Sequence, residues 1–391
     1  MLHSIILMKH HLYTTLPLLI TFCIGIYISF SNQKSIYINS AISAGEYLLK
    51  NIDEEGKYTY EYNPLTKKVS NHYNILRHAG TTYSLLELYQ LTGDQRLLKS
   101  SEQAIGYLIR NTQECVKIPD ANCLVEDEET KLGGNGLAIL AVSKYTEVTG
   151  DSEYLEYAQS LAQFITQTQS EAGQFTHHMV SSSTGEILPF ESSYYPGEAI
   201  FALTRLYEQD KDNKWIEAAH KGAMWLIEVR DKDKDIYTIQ HDHWLLYALN
   251  ELHKDNRNPI YLEHTKKIVD GIILKQNIGY NGSQKVWNGG YYIPPTSTAT
   301  ATRNEGLTAA YQIFKREKEK EYMKKTLDTI QRGLHFQIAN QITQDDVNTL
   351  NINPNSIGAF YHSLDNYDIR IDYVQHNISA ILGYINILNS K

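Results

Sequence analysis

The sequence predicts an all-α fold of six helical hairpins, with short β-hairpins in the loops of one face. Three observations support this prediction. Apolar segments that open with a small or polar motif recur at intervals of roughly 45–70 residues, which is the spacing of a repeat architecture. Amphipathic segments lie between them, and the connections alternate between short and long. We therefore expect an inner layer of six helices surrounded by an outer layer of six.

The segments assigned to the inner layer are apolar nearly all round, with Gly, Ala, Ser and Thr interspersed. A helix without a polar face must be buried on all sides. The motifs that open these six segments start at Arg77, Gly133, Tyr194, Asp242, Arg303 and Gln375.

The segments assigned to the outer layer carry apolar residues at helical spacing on one face and charged residues on the other. Leu155, Ala158 and Leu161 show this pattern, which is typical of a helix packed against a core. The outer helices are expected to start near Ser35, Gln95, Ser152, Lys214, Pro259 and Glu319.

The inner-to-outer connections are short turns of Thr-Gly-Asp type, at 92–94 and 149–151. Gly suits the left-handed position after a helix, and Asp suits the N-cap of the next one. The outer-to-inner connections are much longer: 51–76, 111–133, 170–194, 277–301 and 339–373. Long loops in a compact domain are usually functional. Because all of them precede inner helices, they gather on one face.

Several long loops contain a Gly-x-aromatic element, and one of them alternates Tyr58, Tyr60 and Tyr62, which suggests a short hairpin. The elements are Gly56-Lys57-Tyr58, Gly173-Gln174-Phe175, Gly290-Tyr291-Tyr292 and Gly358-Ala359-Phe360.

With these repeats the chain resembles the (α/α)6-toroid, or six-hairpin, superfamily over about residues 36–388. That superfamily includes glycoside hydrolases, sugar 2-epimerases, uronate lyases and terpenoid-cyclase-like proteins. The resemblance implies a single toroidal domain, assigned to residues 36–391, with its site at the loop face. An Asp-x-Asp-Asp run and a Cys/Cys/His cluster are both missing from the sequence, which argues against a protonation-type terpenoid cyclase and a lanthionine-type zinc site.

The N-terminus contains about nineteen mostly apolar residues, at 12–30, which is long enough to span a bilayer. Lys9 favours residues 1–11 staying in the cytoplasm. We expect a membrane anchor with an extracytoplasmic domain, either periplasmic or extracellular. The alternative is a signal segment cleaved near Ser29-Phe30-Ser31.

The cysteine content agrees with an extracytoplasmic location. Cys115 and Cys123 flank a short turn, and this spacing suits a local disulfide in an oxidising compartment. The alternative is a pair of unpaired loop thiols.

The net charge is −9 with no basic stripe, so nucleic acid is not an expected partner.

Acidic residues occur at the starts of the inner helices. Glycoside hydrolysis requires a protonated acid and an ionised carboxylate that face each other. Glu198 and Glu305 are the favoured catalytic pair, with Asp242 and Asp372 as further candidates. The alternative is that each acid merely stabilises the first turn of its helix.

Histidines cluster at the same positions: His78, His243 and His376 are candidate proton carriers. The His241-x-His243 pair lacks a matching carboxylate motif, so we expect neither a metal nor a cofactor.

Arginines at the mouth suit an anionic sugar, and aromatic rings stack on sugar faces. The candidate substrate-binding residues are Arg77, Asn135, Tyr194, Tyr195, Trp244, Arg303, Asn304, Arg370 and Asn377.

The sequence thus predicts a membrane-anchored enzyme acting on an acidic carbohydrate, by hydrolysis with paired carboxylates. A sugar or uronate epimerase, or a polysaccharide lyase, using the histidines is the enzymatic alternative. A glycan-binding or scaffold subunit of an envelope polysaccharide system is the alternative without catalysis. Fold resemblance alone does not choose among these reactions.

Overall fold

The computed structural model describes residues 34–390, so the predicted membrane segment at 12–30 lies outside the described part. Six inner helices form a closed ring in which each packs against the next and the last packs against the first. They are α2 (Ile75–Thr92), α4 (Leu132–Thr149), α6 (Tyr195–Asp210), α8 (His243–Asp255), α10 (Ser297–Arg316) and α13 (Ile371–Asn389). Within residues 34–390 no helix combines the length and the hydrophobicity needed to cross a membrane.

An outer layer of six helices surrounds the ring. They are α1 (34–50), α3 (Gln95–Arg110), α5 (Leu155–Gln167), α7 (Asn213–Trp225), α9 (Pro259–Lys275) and α11 (Lys320–Ala339). Five inner helices pack against the outer helix that follows them in the chain. The sixth pair is assembled from the two ends of the described chain, where Tyr37 of α1 meets Tyr384 of α13 edge-to-face at 5.3 Å. The predicted layers are confirmed.

The short turns at the closed end follow the predicted capping chemistry in part. Gly93 and Gly150 adopt left-handed conformations, with φ of 69° and 73°, and Asp94 caps α3 by accepting from the Arg96 N–H. The prediction that Asp151 caps the next helix is wrong. Its carboxylate accepts from the Glu153 N–H, and α5 begins only at Leu155.

The long loops at the open end form two small antiparallel sheets and a short helix. One sheet has the order β2-β1-β8-β7 and the other β3-β4-β5-β6. The strands are β1 (Glu61–Asn63), β2 (Lys68–Val69), β3 (Thr112–Glu114), β4 (Asn122–Glu126), β5 (Glu129–Lys131), β6 (Met179–Ser181), β7 (Tyr361–Ser363) and β8 (Asn366–Arg370), and the helix is α12 (Gln344–Leu350). The predicted hairpin near Tyr62 is the β1–β2 pair.

The predicted disulfide between Cys115 and Cys123 is present, with the two Cα atoms 5.1 Å apart. It ties the end of β3 to β4. The bond therefore braces the second sheet, which contacts α4 through its strands β4 and β5.

The Gly-x-aromatic elements hold the loops down on the outer helices. Gly56 has a φ of 81°, and a Cβ there would lie 2.1 Å from the Gln103 carbonyl of α3, so only glycine fits. The aromatic ring two residues later is buried in the core. Gly173 and Gly358 repeat this contact on α7 and α1. In the fourth element the glycine is Gly289 rather than the predicted Gly290, because Gly289 is the one with positive φ against Arg332 of α11.

Two inner helices begin earlier than predicted. α10 starts at Ser297, so the Thr-rich run is helical. Within it, the hydroxyls of Thr300 and Thr302 donate to the backbone carbonyls four residues before, at 2.9 and 3.0 Å. α13 starts at Ile371, which places Asp372 in its first turn. These extra turns extend the two helices toward the mouth.

Candidate functional site

His243, Glu305 and His376 meet near the N-terminal ends of α8, α10 and α13. His376 Nδ1 lies 3.0 Å from Glu305 Oε2, and His243 Nε2 lies 3.5 Å from the same oxygen. The two imidazole rings are 5.3 Å apart and nearly perpendicular. The three residues are 4%, 1% and 9% exposed, respectively. We call this group the central trio.

Close packing of two inner helices brings the trio together. A Cβ at Gly306 would lie 3.1 Å from the His243 Cα, so the glycine lets α10 approach α8 closely. Trp244 is buried and packs its ring against His243 at 4.7 Å and His376 at 6.2 Å. Trp244, predicted as a substrate-binding residue, therefore supports both histidines from behind.

Burial governs the charge state of the trio. It raises the pKa of Glu305 to about 7, although the charge and hydrogen bond of His376 oppose the rise. Burial, together with the charges of His376 and Arg303, lowers the pKa of His243 well below its ordinary value. His243 is therefore a neutral imidazole at neutral pH. Within residues 34–390 neither of its ring nitrogens has a hydrogen-bond partner, so a buried acceptor and a buried donor are left for a ligand.

The trio also has a donor set suited to a metal. One ligand atom from each residue lies within 4.8 Å of the others, and two imidazoles with a carboxylate suit a divalent transition metal. His241, the neighbour of His243 in the His-x-His pair, does not belong to this donor set. His241 Nδ1 instead accepts from Arg303 Nε at 3.0 Å.

A second acidic group lies on the neighbouring helices. Burial and then the charge of Asp242 raise the pKa of Glu198 to about 8, while burial raises the pKa of Asp242 to about 6. Glu198 Oε2 and Asp242 Oδ2 have no hydrogen-bond partner in the described part of the chain. Gly133 makes room for Glu198, because a Cβ there would lie 1.9 Å from Glu198 Oε2. We call Glu198 and Asp242 the carboxyl pair.

Glu198 and Glu305, predicted to act as a catalytic pair, each have a different partner in the structure. The charge partner of Glu198 is Asp242, whereas Glu305 is held by His376. At neutral pH the carboxyl pair carries one proton on Glu198 and a negative charge on Asp242.

Asp372 joins the first and last inner helices. It accepts from Arg77 Nε at 3.2 Å and from Arg370 Nε at 2.6 Å. Burial alone would raise its pKa, but the hydrogen bond to Arg370 and the charge of Arg77 lower the pKa overall. Arg77 also donates to the Tyr60 hydroxyl. Asp372 is therefore a fixed carboxylate rather than a proton donor, and both arginines are engaged within the protein.

Arg303 lines a cavity of about 510 Å³ beside the trio. Its guanidinium donates to His241 Nδ1, to the Ala299 carbonyl at 2.8 Å and to the Tyr292 hydroxyl at 3.2 Å. Tyr194, which is 40% exposed, lines the same cavity and places its ring 6.0 Å from His243. Predicted residues Arg303 and Tyr194 thus border open space at the site.

Four predicted site residues point away from the mouth, into the protein. His78 has both nitrogens occupied, by the Tyr73 hydroxyl at 2.7 Å and the Ala104 carbonyl at 2.9 Å, and burial lowers its pKa to about 4. It joins α2 to α3, so we withdraw it from the catalytic set.

The three asparagines occupy the corresponding position on other inner helices. Asn135 accepts from the Leu124 N–H at 2.8 Å, and Gln337 of α11 bridges Asn304 and Asn377. We withdraw these side chains from the substrate-binding set for the same reason. Tyr195, in contrast, lies beside Glu198, which raises its pKa in addition to the effect of burial.

The sequence reasoning missed Arg230. A π-helical turn, Leu226–Arg230, extends α7 and carries this guanidinium to Asp231 at 2.8 Å and to Asp242 at 3.6 Å. Such turns frequently occur at functional sites. No residue pattern distinguishes this turn from an ordinary helix end, so the sequence offered no signal.

No protein-family model and no curated protein sequence matches the chain. Solved structures do match. A D-mannose isomerase is 17% identical with a TM-score of 0.67, covering 91% of this chain and 97% of its own. The cellobiose 2-epimerase of Bacillus thermoamylovorans B4167 is 14% identical with a TM-score of 0.68, covering 92% and 99%.

The GH76A α-1,6-mannanase of Salegentibacter sp. HEL1_6 is likewise similar to this chain. It is 14% identical with a TM-score of 0.62, covering 89% of this chain and 98% of the mannanase. The chain therefore has the (α/α)6-toroid fold of these three proteins.

Proposed function

We propose that this protein is an enzyme that moves a proton at a sugar carbon beside a carbonyl group, as an epimerase or an isomerase. The observation that carries the proposal is the central trio. Two histidines flank one carboxylate, and His243 is buried, with neither ring nitrogen hydrogen-bonded to any described residue. The likeness to a mannose isomerase and a cellobiose epimerase supports a sugar substrate.

The roles follow from the contacts. A neutral His243 accepts the proton from the sugar carbon, and the electron pair moves to the carbonyl oxygen to give an enediolate. His376, held by Glu305 through Nδ1, acts as the acid through its other ring nitrogen. It returns a proton to the opposite face of the same carbon, giving the epimer. For the isomer, the proton returns to the neighbouring carbon while the hydroxyl proton of the enediolate passes to the other oxygen, so that the oxygen it leaves becomes the new carbonyl. Atoms and charge balance without a redox step.

Glycoside hydrolysis is the second candidate, and the carboxyl pair supports it. Glu198 is protonated at neutral pH with a free Oε2 and lies beside ionised Asp242, which is the state expected of an acid and a base.

One comparison favours proton transfer over hydrolysis. The mannanase is described as inactive when two consecutive aspartates are replaced. Consecutive aspartates occur in this sequence only at Asp345 and Asp346, and Asp346 caps the short helix α12. The likeness to the mannanase therefore does not extend to those residues.

The location of the protein is also a proposal. The apolar run at 12–30 supports a membrane anchor, and the Cys115–Cys123 disulfide is typical of an extracytoplasmic domain. Protease added to cells whose outer envelope has been permeabilised, with the inner membrane intact, should digest the toroid, and alkaline washing should leave the protein with the membrane. Protection from protease until the inner membrane is lysed would contradict the proposal.

The reaction is tested by incubating the protein with reducing sugars and following the products by chromatography. The panel contains glucose, mannose, glucuronate and their 1,4-linked and 1,6-linked disaccharides. Interconversion of aldose epimers, or of aldose and ketose, supports the proposal. Release of monosaccharide from disaccharides selects hydrolysis. Binding of a glycan without turnover by any preparation would select the glycan-binding subunit.

A further inference from the structure

A second cavity, of about 860 Å³, runs from the outer helix layer to the mouth. Phe175 and Trp225 border it near α7, whereas Pro196 and Gln240 border it at the starts of α6 and α8. We call this cavity the radial groove. Its volume lies within the range of about 300–1,000 Å³ that is usual for ligand sites.

A hydrogen bond between Gln240 and Ser193 lies where the radial groove meets the 510 Å³ cavity. Gln240 lines both cavities, and its Nε2 donates to Ser193 Oγ at 2.7 Å. Ser193 faces the groove and Tyr194 the other cavity. The two spaces therefore meet at the segment that precedes α6.

Two residues that line the groove connect it to the carboxyl pair. Arg230 lines the groove and lies 3.6 Å from Asp242. Phe190, which is 40% exposed, packs its ring 5.7 Å from that of Tyr195, the neighbour of Glu198. The groove lining thus contacts Asp242 through Arg230 and approaches Glu198 through Phe190 and Tyr195.

The lining mixes aromatic rings with planar polar groups. Trp225 and Phe190 present apolar rings, and His178, Glu191 and Gln240 add hydrogen-bonding groups. Sugars present C–H faces that stack on rings and hydroxyls that bond to such groups. Among the described residues that line the groove, the one Lys or Arg is Arg230, and it is already paired with Asp231 and Asp242, so this lining offers an anion no free arginine or lysine.

The proposed reaction restricts how a longer sugar can bind. Proton transfer beside a carbonyl requires an open-chain reducing end, so only the last unit of an oligosaccharide can react. The remaining units must leave the mouth through an open passage. The radial groove is the candidate passage, since it extends from Trp225 of α7 to Pro196 and Gln240, and its lining residue Arg230 lies 3.6 Å from Asp242.

We propose that the substrate is a neutral oligosaccharide whose reducing end enters the central trio while the units behind it occupy the radial groove. The assignment of the reacting end rests on the proposed function, whereas binding in the groove does not. The groove thus selects for chain length.

The test measures kcat/KM and binding for gluco- and manno-oligosaccharides of one to four units. We expect kcat/KM to rise at least tenfold from the monosaccharide to the tetrasaccharide. Trp225→Ala and Phe190→Ala should each bring that ratio close to one, whereas Trp287→Ala, outside the groove, should leave it unchanged. Phe190 is exposed, so its variant keeps the test valid if Trp225→Ala fails to fold.

Tetrasaccharides reduced to alditols separate this inference from the proposed function. They should bind, as measured by saturation-transfer NMR, but should not react. Loss of that binding in Phe190→Ala would support the groove even if no proton transfer is ever observed. Equal kcat/KM for all lengths, or alditol binding unaffected by both groove variants, would overturn the inference.

Discussion

Glu305 Oε2 accepts a hydrogen bond from His376 Nδ1 at 3.0 Å while His243 Nε2 lies 3.5 Å from the same oxygen. One carboxylate thus fixes one imidazole and leaves the other unbonded. An imidazole that donates through Nδ1 has its Nε2 available toward the mouth. This asymmetry gives the two histidines different roles and is the basis of the first two predictions.

Replacing either histidine should abolish turnover. His243→Asn and His376→Asn each remove a proton carrier, so kcat should fall by about 10²–10⁴ with the fold retained. His335→Asn is the matched control, since His335 is exposed on α11. Steady-state kinetics on the sugar found by the panel provide the measurement. Full activity in either site variant would eliminate that histidine from the mechanism.

The pH profile should depend on Glu305. Its pKa is raised to about 7, so the rate of the wild-type protein should increase with pH through about 7 as the carboxylate ionises. Glu305→Gln has no such group, so its rate should be about 100-fold lower and lack that inflection. Glu198→Gln should keep the inflection near 7. An unchanged profile in Glu305→Gln would assign the inflection to another group.

The buried acid Glu198 should make stability depend on pH. Its folded pKa of about 8 exceeds the ordinary 4.5, so the folded state holds more protons between these values. Stability should therefore decrease as pH rises from about 4.5 to 8. Glu198→Gln should flatten this decrease by on the order of a few kcal/mol, since one pKa unit corresponds to about 1.4 kcal/mol.

Urea denaturation at pH 5 and pH 8 measures that difference, with Glu171→Gln, on an exposed loop, as the control. A wild-type protein that is more stable at pH 8 than at pH 5, with Glu198→Gln showing the same difference, would contradict the assignment.

The contact between Arg77 and Asp372 should contribute to closing the ring. Arg77 is one-third exposed and Asp372 keeps Arg370 as a partner, so the coupling energy should be modest, about 1 kcal/mol. A double-mutant cycle with Arg77→Met and Asp372→Asn, read by urea denaturation, measures it. Additive effects of the two changes would show that the pair contributes nothing to stability.

The disulfide should stabilise the loop sheet that it braces. Closing a loop of this length lowers the conformational entropy of the unfolded chain, which stabilises the folded state by about 2–3 kcal/mol. Cys115→Ser should therefore lower the free energy of unfolding by about 2–3 kcal/mol, which is seen as a lower urea denaturation midpoint, and a reducing agent should lower the wild-type midpoint equally. Identical midpoints with and without reducing agent would indicate that the bond does not form in solution.

The sequence predicted the architecture because its repeats report directly on burial. Apolar inner segments, amphipathic outer segments and Thr-Gly-Asp turns each depend on local chemistry, so hairpins could be counted without a structure. Helix starts were less accurate. The Thr-rich run before Arg303 resembles a loop in composition, yet its hydroxyls bond within a helix.

The candidate site could be predicted only as a set of residues near the mouth. His78 and Asn304 occupy the same kind of position as Glu305, but one residue along a helix turns a side chain by about 100°. That rotation decides whether a residue faces the mouth or the outer layer. Sequence also could not pair the acids, since the partner of Glu198 is on the next helix and that of Glu305 on the last.

The measurement that tests the central claim most directly is solvent isotope incorporation. The purified protein is incubated with its sugar substrate in D₂O, and the product is analysed by NMR. Proton transfer by His243 and His376 predicts one deuterium on the carbon beside the carbonyl, at a rate that falls at least 100-fold in both His→Asn variants. Turnover that leaves every carbon-bound hydrogen of the sugar unexchanged, with His376→Asn as active as the wild type, would contradict the account.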